Sequence, residues 1–503
     1  MKQFRYFQKN IISNLILIAC FVTLLTIPIG CKKYIQVDTP PQIISPENAF
    51  KDNQTAASVL TGIYSQISNQ QVLVDQTLIS TAVIPELSAD DLTLYDPDGS
   101  VYFSDFYKNS LEPKYLNSYG LLSTYWNKIY PLVYTANIAI EGLRDNVALS
   151  ENVRNRLLGE AYFMRGFLYF YLVNFYGGVP LVLTTKYNQT AHLSRSSVSD
   201  VYTQIIADLT KAEGLLDYTY VGANIGTTSG ERVRPNLAAV IALEARVFLY
   251  QKNYPAAEAA ATKVINQSAF GLTSLNNTFL KNSSETIWAL QPVQTGYNTS
   301  EANAFILPST GPDAISYPVF ASSSLVDSFE PGDERKTNWL GHVDVNGMTY
   351  YYPTKYKVQF SPNLVTVDEN TIVLRLSEQY LIRAEARNEQ NNVAGAVADL
   401  NTIRARSRGS VTTEVPNPLP ALSPTLAQVA LRPIILQERR VELFTEWGHR
   451  WFDLKRSGTI DAVMTPAAIT KGGIWNNYKS LYPIPFDEIQ NNNSLTQNPG
   501  YSN

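Results

Sequence analysis

Two stretches of this chain repeat the pattern of one helical hairpin, and this repeat constrains the fold more than any other feature. The helices of the two hairpins cover, in order, Asn236 to Gln251, Tyr254 to Gln267, Ser377 to Gln390 and Val393 to Arg408. In each hairpin the first helix carries Glu-Ala-Arg and the second opens with small residues, which let helices approach closely, as in tetratricopeptide hairpins of about 34 residues. Similar pairs can be drawn within residues 121–176 and near 424–447. The pattern predicts a helical-repeat scaffold with large irregular loops on one side.

The segment from Leu157 to Tyr176 is apolar almost all round, so we expect a helix that is buried at the centre of the scaffold. Gly177 and Gly178 follow it, and glycine is the residue that most often ends a helix. Ser45 supplies an N-cap and Pro46 a first-turn proline, which together predict another helix from there to about Ser68.

Cys31 predicts where the mature chain begins. It follows a basic start, an apolar run from Ile11 to Ile29 and Gly30, the layout of a bacterial export signal that ends at a lipidated cysteine. We therefore interpret residues 1–30 as a lipoprotein signal peptide and residues 31–45 as a lipid-anchored tether. One alternative is a retained membrane-spanning helix, since about 18 apolar residues can cross a bilayer. Another is cleavage before Cys20, which would leave an apolar flap on the mature chain.

Charge and composition favour binding over nucleic-acid recognition or metal chemistry. The formal net charge is −4, and residues 1–30 hold three positive and no negative charges, so the mature chain carries −7. Nucleic acid is bound by a basic face, which this balance does not favour. The 3 histidines are far apart and lack metal-ligand spacing. By contrast, the 31 tyrosines offer flat rings with polar edges.

Two long polar insertions, residues 85–120 and 291–360, are rich in aromatic residues. Loops of this length in compact proteins are usually functional, and sugar binding combines apolar rings with amides and carboxylates. The candidate glycan-binding residues are Asp91, Tyr95, Tyr102, Phe103, Tyr297, Asn298 and Trp339. For each ring the alternative is packing in the core. Calcium is an alternative ligand for the aspartates of the first insertion, which lack the spacing of a calcium loop: Asp90, Asp91, Asp96 and Asp98.

Several segments, taken together and in order, resemble the SusD/RagB family, the lipid-anchored nutrient-binding subunits of outer-membrane importers in Bacteroidota. They are Gly159 to Arg165, Tyr176 to Pro180, Arg375 to Ala386, Glu438 to Arg456, Tyr482 to Pro485 and Gln497 to Tyr501. The resemblance implies an all-α dominated fold of about four tetratricopeptide-like helix pairs that support a loop-rich ligand face. Its N-terminal region would cover residues 46–270 and its C-terminal region 271–503. The resemblance also implies capture of a glycan, or less often a peptide, and docking as a lid on a TonB-dependent SusC-like transporter.

The segment from Glu438 to Arg456 crowds carboxylates, arginines and a histidine together, which invites a catalytic interpretation. Dense pairs of Arg and Glu on helices more often orient those helices. We therefore predict a structural network that contains Glu438, Arg439, Glu442, Arg450 and Trp451. The chain has no Gly-x-Ser-x-Gly or His-Glu-x-x-His motif and no phosphate loop. We expect no enzyme activity and no cofactor apart from the calcium considered above.

These observations favour a non-catalytic lipoprotein of the outer membrane that faces the outside, binds an oligosaccharide and delivers it to a transporter. One alternative is the same architecture binding peptides or glycopeptides. Another is a protein interaction scaffold, because helical-repeat arrays offer extended surfaces to partner proteins.

Overall fold

The computed structural model describes residues 46–68, 80–100, 103–113, 123–223 and 225–502. The predicted signal peptide, the tether, the lipidation residue Cys31 and the candidate ring Tyr102 lie outside these residues. Helices dominate the described chain, as the predicted fold class requires.

The helices have the following bounds in chain order. They are α1 (Pro46–Ala49), α2 (Asn53–Ser68), α3 (Ile84–Ser88), α4 (Ser104–Tyr107), α5 (Ser123–Leu143), α6 (Glu151–Tyr176), α7 (Tyr187–Thr190), α8 (Val198–Glu213), α9 (Leu237–Tyr250), α10 (Tyr254–Ile265), α11 (Ser300–Phe305), α12 (Ser323–Val326), α13 (Glu334–Trp339), α14 (Leu376–Glu389), α15 (Val393–Ser407), α16 (Gln428–Leu443), α17 (His449–Ser457), α18 (Ile460–Thr470) and α19 (Phe486–Asn491).

The longer helices pack as consecutive neighbours. Helix α5 packs on α6, α6 on α8, α8 on α9, α9 on α10, α10 on α14, and α14 on both α15 and α16. The predicted hairpins are therefore the observed pairs α9–α10 and α14–α15. Helices α10 and α14 are adjacent although the insertion at 291–360 separates them in sequence. The insertion therefore does not interrupt the packing of the helical scaffold.

The two hairpins turn in the same way. Lys252 and Asn391 each adopt a positive φ, of 56° and 63°. The next residue in each hairpin is an asparagine, and its side chain accepts a hydrogen bond from the backbone N–H three residues later. A Cβ on Gly395 would come within 2.6 Å of the Asn392 side chain. Both caps therefore meet a small residue, Ala256 in α10 and Gly395 in α15.

Helix α6 is the centre of the main core. Nearly all of its residues from Leu157 onward are buried. Phe167 packs edge-on against Trp288, with ring centroids 5.2 Å apart, and the ring of Trp447 lies 5.9 Å away. Gly177, with a φ of 74°, ends the helix where the sequence predicts.

The helix predicted from Ser45 to about Ser68 is two helices. It breaks between α1 and α2 because Asp52 caps a new helix start. The Asp52 carboxylate accepts a hydrogen bond of 2.8 Å from the backbone N–H of Thr55 and one of 3.0 Å from its hydroxyl. The pKa of Asp52 is lowered by these hydrogen bonds, as expected for a capping carboxylate.

The two insertions and the segments around them contain short β-strands where the sequence predicts irregular loops. The strands are β1 (Leu92–Leu94), β2 (Thr286–Leu290), β3 (Val319–Ala321), β4 (Leu340–Val345), β5 (Met348–Pro353) and β6 (Thr371–Arg375). They form three antiparallel pairs, β1–β3, β2–β6 and β4–β5, in the part of the chain that the structure describes. Strands β2 and β6 are buried along their whole length. In the described ranges, no helix is both long and apolar enough to cross a bilayer.

Candidate functional site

The two insertions meet in one antiparallel ladder. Leu92 pairs with Ala321 and Leu94 with Val319. The ladder continues at one end, where the backbone N–H of Tyr95 donates to the carbonyl of Pro318 at 2.6 Å. Strand β5 lies against β3, so the β4–β5 hairpin belongs to the same surface. Aromatic residues from distant parts of the sequence therefore lie side by side here.

We call Tyr95, Phe320 and Tyr350 the ring patch. The rings of Tyr95 and Tyr350 meet edge to face with centroids 6.4 Å apart, and those of Phe320 and Tyr350 do so at 5.2 Å. Tyr95 is 36% exposed, and the other two rings are half-buried. Rings that hold one another in place while keeping part of their surface in water can stack on the C–H face of a sugar.

A second ring pair lies elsewhere in the second insertion. Tyr297 packs against Phe360 with centroids 4.4 Å apart, and Phe360 is 45% exposed. The backbone carbonyl of Gly296 accepts from the N–H of Ser361, which holds the two segments together. The predicted residue Tyr297 is thus half-buried beneath a more exposed ring.

Trp339 is wrongly predicted as a ligand-facing ring, because its side chain is fully buried. It ends the short helix α13 and donates its indole N–H to the carbonyl of Leu275 at 3.0 Å. The Lys355 ammonium lies 4.9 Å from its ring centre, and the Arg406 guanidinium lies 5.5 Å away. The ring of Trp339 packs in a small second core, where it stacks with these cations.

Three other candidates of the sequence are also buried and do not face a ligand. Asp91 is fully buried and is paired with Arg440 at 2.7 Å. Phe103 belongs to the main core. The Asn298 side chain is occupied by the backbone, because its oxygen accepts from the N–H groups of Asp368 and Glu369 at 2.6 and 2.8 Å. The sequence shows polar surroundings for these residues but not the partners that bury them.

An ion-paired clamp fixes the first insertion to the scaffold. Arg450 of α17 forms two hydrogen bonds to Asp90, at 2.7 and 2.9 Å. Arg440 of α16 reaches Asp90 at 2.9 Å and Asp91 at 2.7 Å. Asp90 and Asp91 immediately precede β1, so this clamp sets the position of the ladder that carries Tyr95.

Helix α16 also holds the second insertion in place. Glu442 accepts from Arg335 at 3.0 Å, from Arg375 at 2.7 Å and from Arg406 at 2.6 Å. Glu438 pairs with Arg335 at 2.7 Å and with Arg404 at 2.9 Å. Residues on one face of α16 therefore hold groups from three separate parts of the chain.

The remaining members of the predicted network are also placed inside the fold. Arg439 donates to Asp453 at 2.7 Å, and Trp451 is fully buried. The partners of the network residues lie in the insertions, in β6 and in α15 and α17 rather than among the network residues themselves. This arrangement positions the loops.

Burial and charge set the protonation of these carboxyl groups. Burial acts to raise the pKa of Glu442, but Arg406, Arg375 and Arg335 outweigh it and hold the pKa well below its usual value. Glu86 of α3 lies just before the clamp residues Asp90 and Asp91 in the sequence. It is fully buried, and its carboxyl oxygens have no hydrogen-bond partner. Burial, reinforced by Asp91, raises its pKa well above the usual range. The fold therefore favours the neutral form of Glu86 more strongly than water does.

The aspartates considered for calcium are not gathered around a common point. Asp90 and Asp91 face arginines, and Asp98 pairs with Lys108 at 2.6 Å. Among the described residues, no group of three or more His, Cys, Asp or Glu side chains is arranged to hold a metal ion.

Sequence comparisons identify the family of this fold. The model of the SusD family matches residues 341–501. A SusD-like model, described as starch-binding associating with outer membrane, matches residues 50–249. The chain belongs to the SusD-like family.

Known relatives share this SusD-like fold over nearly the whole chain. SusD-like protein P2 from Formosa agariphila is 26% identical, and the match covers 96% of this chain and 99% of that protein. A SusD superfamily protein from Bacteroides vulgatus superposes with a TM-score of 0.73 at 20% identity, covering 90% of this chain and 100% of that one. A laminarin-binding SusD-like protein superposes with a TM-score of 0.68 at 24% identity, covering 89% and 99%. The tetratricopeptide-like architecture expected from the resemblance is therefore the fold.

Sequence reasoning missed two members of the ring patch. Phe320 and Tyr350 lie within the predicted insertion 291–360, but nothing local separates them from its buried rings. Strand alternation is a signal for Phe320, which lies half-buried between the buried Val319 and Ala321 of β3. In β5, Tyr350, Tyr351 and Tyr352 are all half-buried, so alternation does not single out Tyr350.

Proposed function

We propose that this SusD-like protein is a non-catalytic, lipid-anchored glycan-binding protein that captures oligosaccharides at the ring patch and delivers them to a TonB-dependent SusC-like transporter. The observation that carries this proposal is the convergence of both insertions in one half-exposed aromatic surface. A family model that describes starch binding and outer-membrane association supports it.

The chemistry of the ring patch suits a neutral saccharide. Tyr95 and Tyr350 combine an apolar face with a hydroxyl that can bond to sugar oxygens. The nearest buried charges, those of Asp90 and Asp91, are neutralised by Arg440 and Arg450. A neutral saccharide forms no ion pair with the ring patch, so its affinity should be insensitive to salt.

The same ion pairs argue for binding rather than hydrolysis. A glycosidase needs two carboxyl groups that flank the sugar bond and are free to exchange protons. Asp90 and Asp91, which precede the strand that Tyr95 follows, are held by arginines instead, and Arg440 and Arg450 keep the pKa of Asp90 at about 2 despite its burial. A carboxylate with so low a pKa is a poor proton donor at neutral pH.

Anchoring and delivery rest on the sequence. The export signal and Cys31 support a mature chain that is tied to the outer membrane by lipid and faces the outside. Membership of the SusD-like family supports a SusC-like partner. The ring patch would then hold the glycan until the transporter receives it.

Affinity electrophoresis tests the binding step. Detergent-solubilised mature protein is run in native gels that contain soluble starch, laminarin or no polysaccharide. We expect retardation in at least one polysaccharide gel, and loss of most of it in Tyr95→Ala and Tyr350→Ala. Tyr218→Ala, which removes a ring of similar exposure (42%) far from the ring patch in sequence, is the matched control. Retardation that is equal in all four proteins would refute the assignment, and binding that salt abolishes would favour a charged glycan or a peptide.

A further inference from the structure

A groove on a different part of the molecule has the same chemical character as the ring patch. It lies between helix α5, the loop at 180–193, which includes the short helix α7, and the C-terminal helix α19, and has a volume of about 750 Å³. It shares no residue and no helix or strand with the ring patch. Pockets of this size commonly hold small organic ligands.

Two tyrosine rings in the groove are open to solvent. Tyr134 is 47% exposed and Tyr187 is 80% exposed. Tyr130 lies one turn before Tyr134 on the same face of α5, and its ring packs on Trp126 with centroids 4.9 Å apart. The groove therefore has an aromatic floor of the buried Trp126 and the half-buried Tyr130, and two outer rings that are open to solvent. Exposed rings that line a groove offer a platform for an apolar sugar face.

The walls of the groove are fixed before any ligand arrives. The hydroxyl of Tyr130 donates to the carbonyl of Pro180 at 3.0 Å, which holds the loop against α5. The Glu141 carboxylate accepts three hydrogen bonds from Thr184 and Thr185 further along the same loop. On the other side, the Asn492 side chain donates to the carbonyl of Leu193 at 2.9 Å. A preformed groove loses little conformational freedom on binding.

The polar lining is neutral in character. Among the described residues that line the groove there is no lysine or arginine, and the one carboxyl group belongs to Glu488. Burial raises the pKa of Glu488, while a hydrogen bond from Trp126 opposes the rise. The exposed amides of Asn127 and Asn491 offer donors and acceptors at the rim. Neutral amides beside flat rings are the groups that bind sugar hydroxyls without a charge on the ligand.

We infer that this groove, formed by α5, the loop at 180–193 and α19, is a second binding site for a neutral oligosaccharide, separate from the ring patch. This inference rests on the proposed function only for the class of ligand, a neutral oligosaccharide. A protein with two such sites holds one long glycan at two points, and binds it more tightly than either site alone would.

The test compares three variants in the starch and laminarin gels and in calorimetric titrations with maltohexaose and laminarihexaose. The groove variant is Tyr134→Ala/Tyr187→Ala, the patch variant is Tyr95→Ala/Tyr350→Ala, and Tyr218→Ala is the control. The groove variant is expected to weaken polysaccharide binding about tenfold or more. It is also expected to lower the number of hexasaccharides bound per protein by one. Both effects should be absent from Tyr218→Ala. All substituted tyrosines have exposed or half-buried side chains, so the variants are expected to fold.

The outcomes separate this inference from the proposed function. A groove variant that binds both polysaccharides like the wild type, beside a patch variant that does not, would overturn the groove and leave the proposed function standing. Loss confined to the groove variant would support the groove and overturn the ring patch. Wild-type protein that binds neither starch nor laminarin would overturn both. Unchanged glycan binding together with altered self-association in sedimentation would assign the groove to a second copy of the chain and so overturn it as a glycan site.

Discussion

Arg450→Ala is expected to destabilise the fold by about 3 kcal/mol, because it breaks a buried ion pair. The guanidinium of Arg450 makes two hydrogen bonds to Asp90, at 2.7 and 2.9 Å, and both side chains are almost fully buried. Removing one partner of a buried pair costs about 3–5 kcal/mol. The value here belongs at the lower end, since Arg440 still reaches Asp90 at 2.9 Å.

Arg432→Ala is the matched control. Arg432 also makes two hydrogen bonds to one carboxylate, that of Glu389, both at 2.7 Å. Its side chain is 49% exposed, and exposed pairs contribute about 0–1 kcal/mol. Urea unfolding followed by circular dichroism at pH 7 gives the free energy of unfolding of both variants. We expect Arg450→Ala to lose about 2–3 kcal/mol more than Arg432→Ala.

The pH dependence of the same pair provides an internal check. Burial acts to raise the pKa of Asp90, but Arg440 and Arg450 lower it from 3.8 to about 2. A carboxyl group whose pKa is lower in the folded state stabilises the fold above its unfolded value. That stabilisation is lost as the pH falls from about 4 to about 2, and it corresponds to roughly 2 kcal/mol. Equal losses in Arg450→Ala and Arg432→Ala, or no difference between wild type and Arg450→Ala in this acid range, would refute the clamp.

Three further changes test other parts of the account. Glu86→Gln should stabilise the protein at pH 7 and have little effect near pH 4. Its raised pKa makes the folded state retain a proton that the unfolded chain releases as the pH rises above 4.5. Thermal melts of the wild type and the variant at each pH measure this effect, and equal melting temperatures at pH 7 would contradict it. Trp339→Ala should lower the free energy of unfolding by about 3–5 kcal/mol, because it removes a fully buried ring; loss of glycan binding without loss of stability in the same urea titration would restore its ligand role. Cys31→Ala should release the protein from membranes or leave it held by an uncleaved signal; a processed variant that fractionates with the outer membrane like the wild type would exclude the lipid anchor.

The helical scaffold could be predicted because its signals are local. The hairpins α9–α10 and α14–α15 each carry Glu-Ala-Arg in the first helix and small residues at the start of the second. Helix α6 ends at Gly177 for an equally local reason, since glycine adopts its φ of 74° without strain. Such features need no knowledge of distant residues.

The residues of the candidate site could not be chosen from sequence because their surroundings are made by distant segments. Asp91 is buried by Arg440, which is 349 positions away. Trp339 stands in a polar stretch, yet its ring is buried and lies against the cations of Lys355 and Arg406, and Arg406 lies outside that stretch. Tyr350 gains its place in the ring patch only when β1 pairs with β3. The sequence predicts that the two insertions form the ligand face, and long-range pairing decides which of their rings reach water.

Calorimetric titration of Tyr95→Ala/Tyr350→Ala with the glycan that retards the wild-type protein most, at low and high salt, tests the ring patch most directly. We expect affinity at this site to fall at least tenfold, because each ring contributes about 1 kcal/mol or more of stacking. The wild-type affinity should be the same at both salt concentrations, and Tyr218→Ala should bind like the wild type. Full affinity in the double variant, with its melting temperature unchanged, would contradict the claim that the two insertions form a glycan-binding surface at the ring patch.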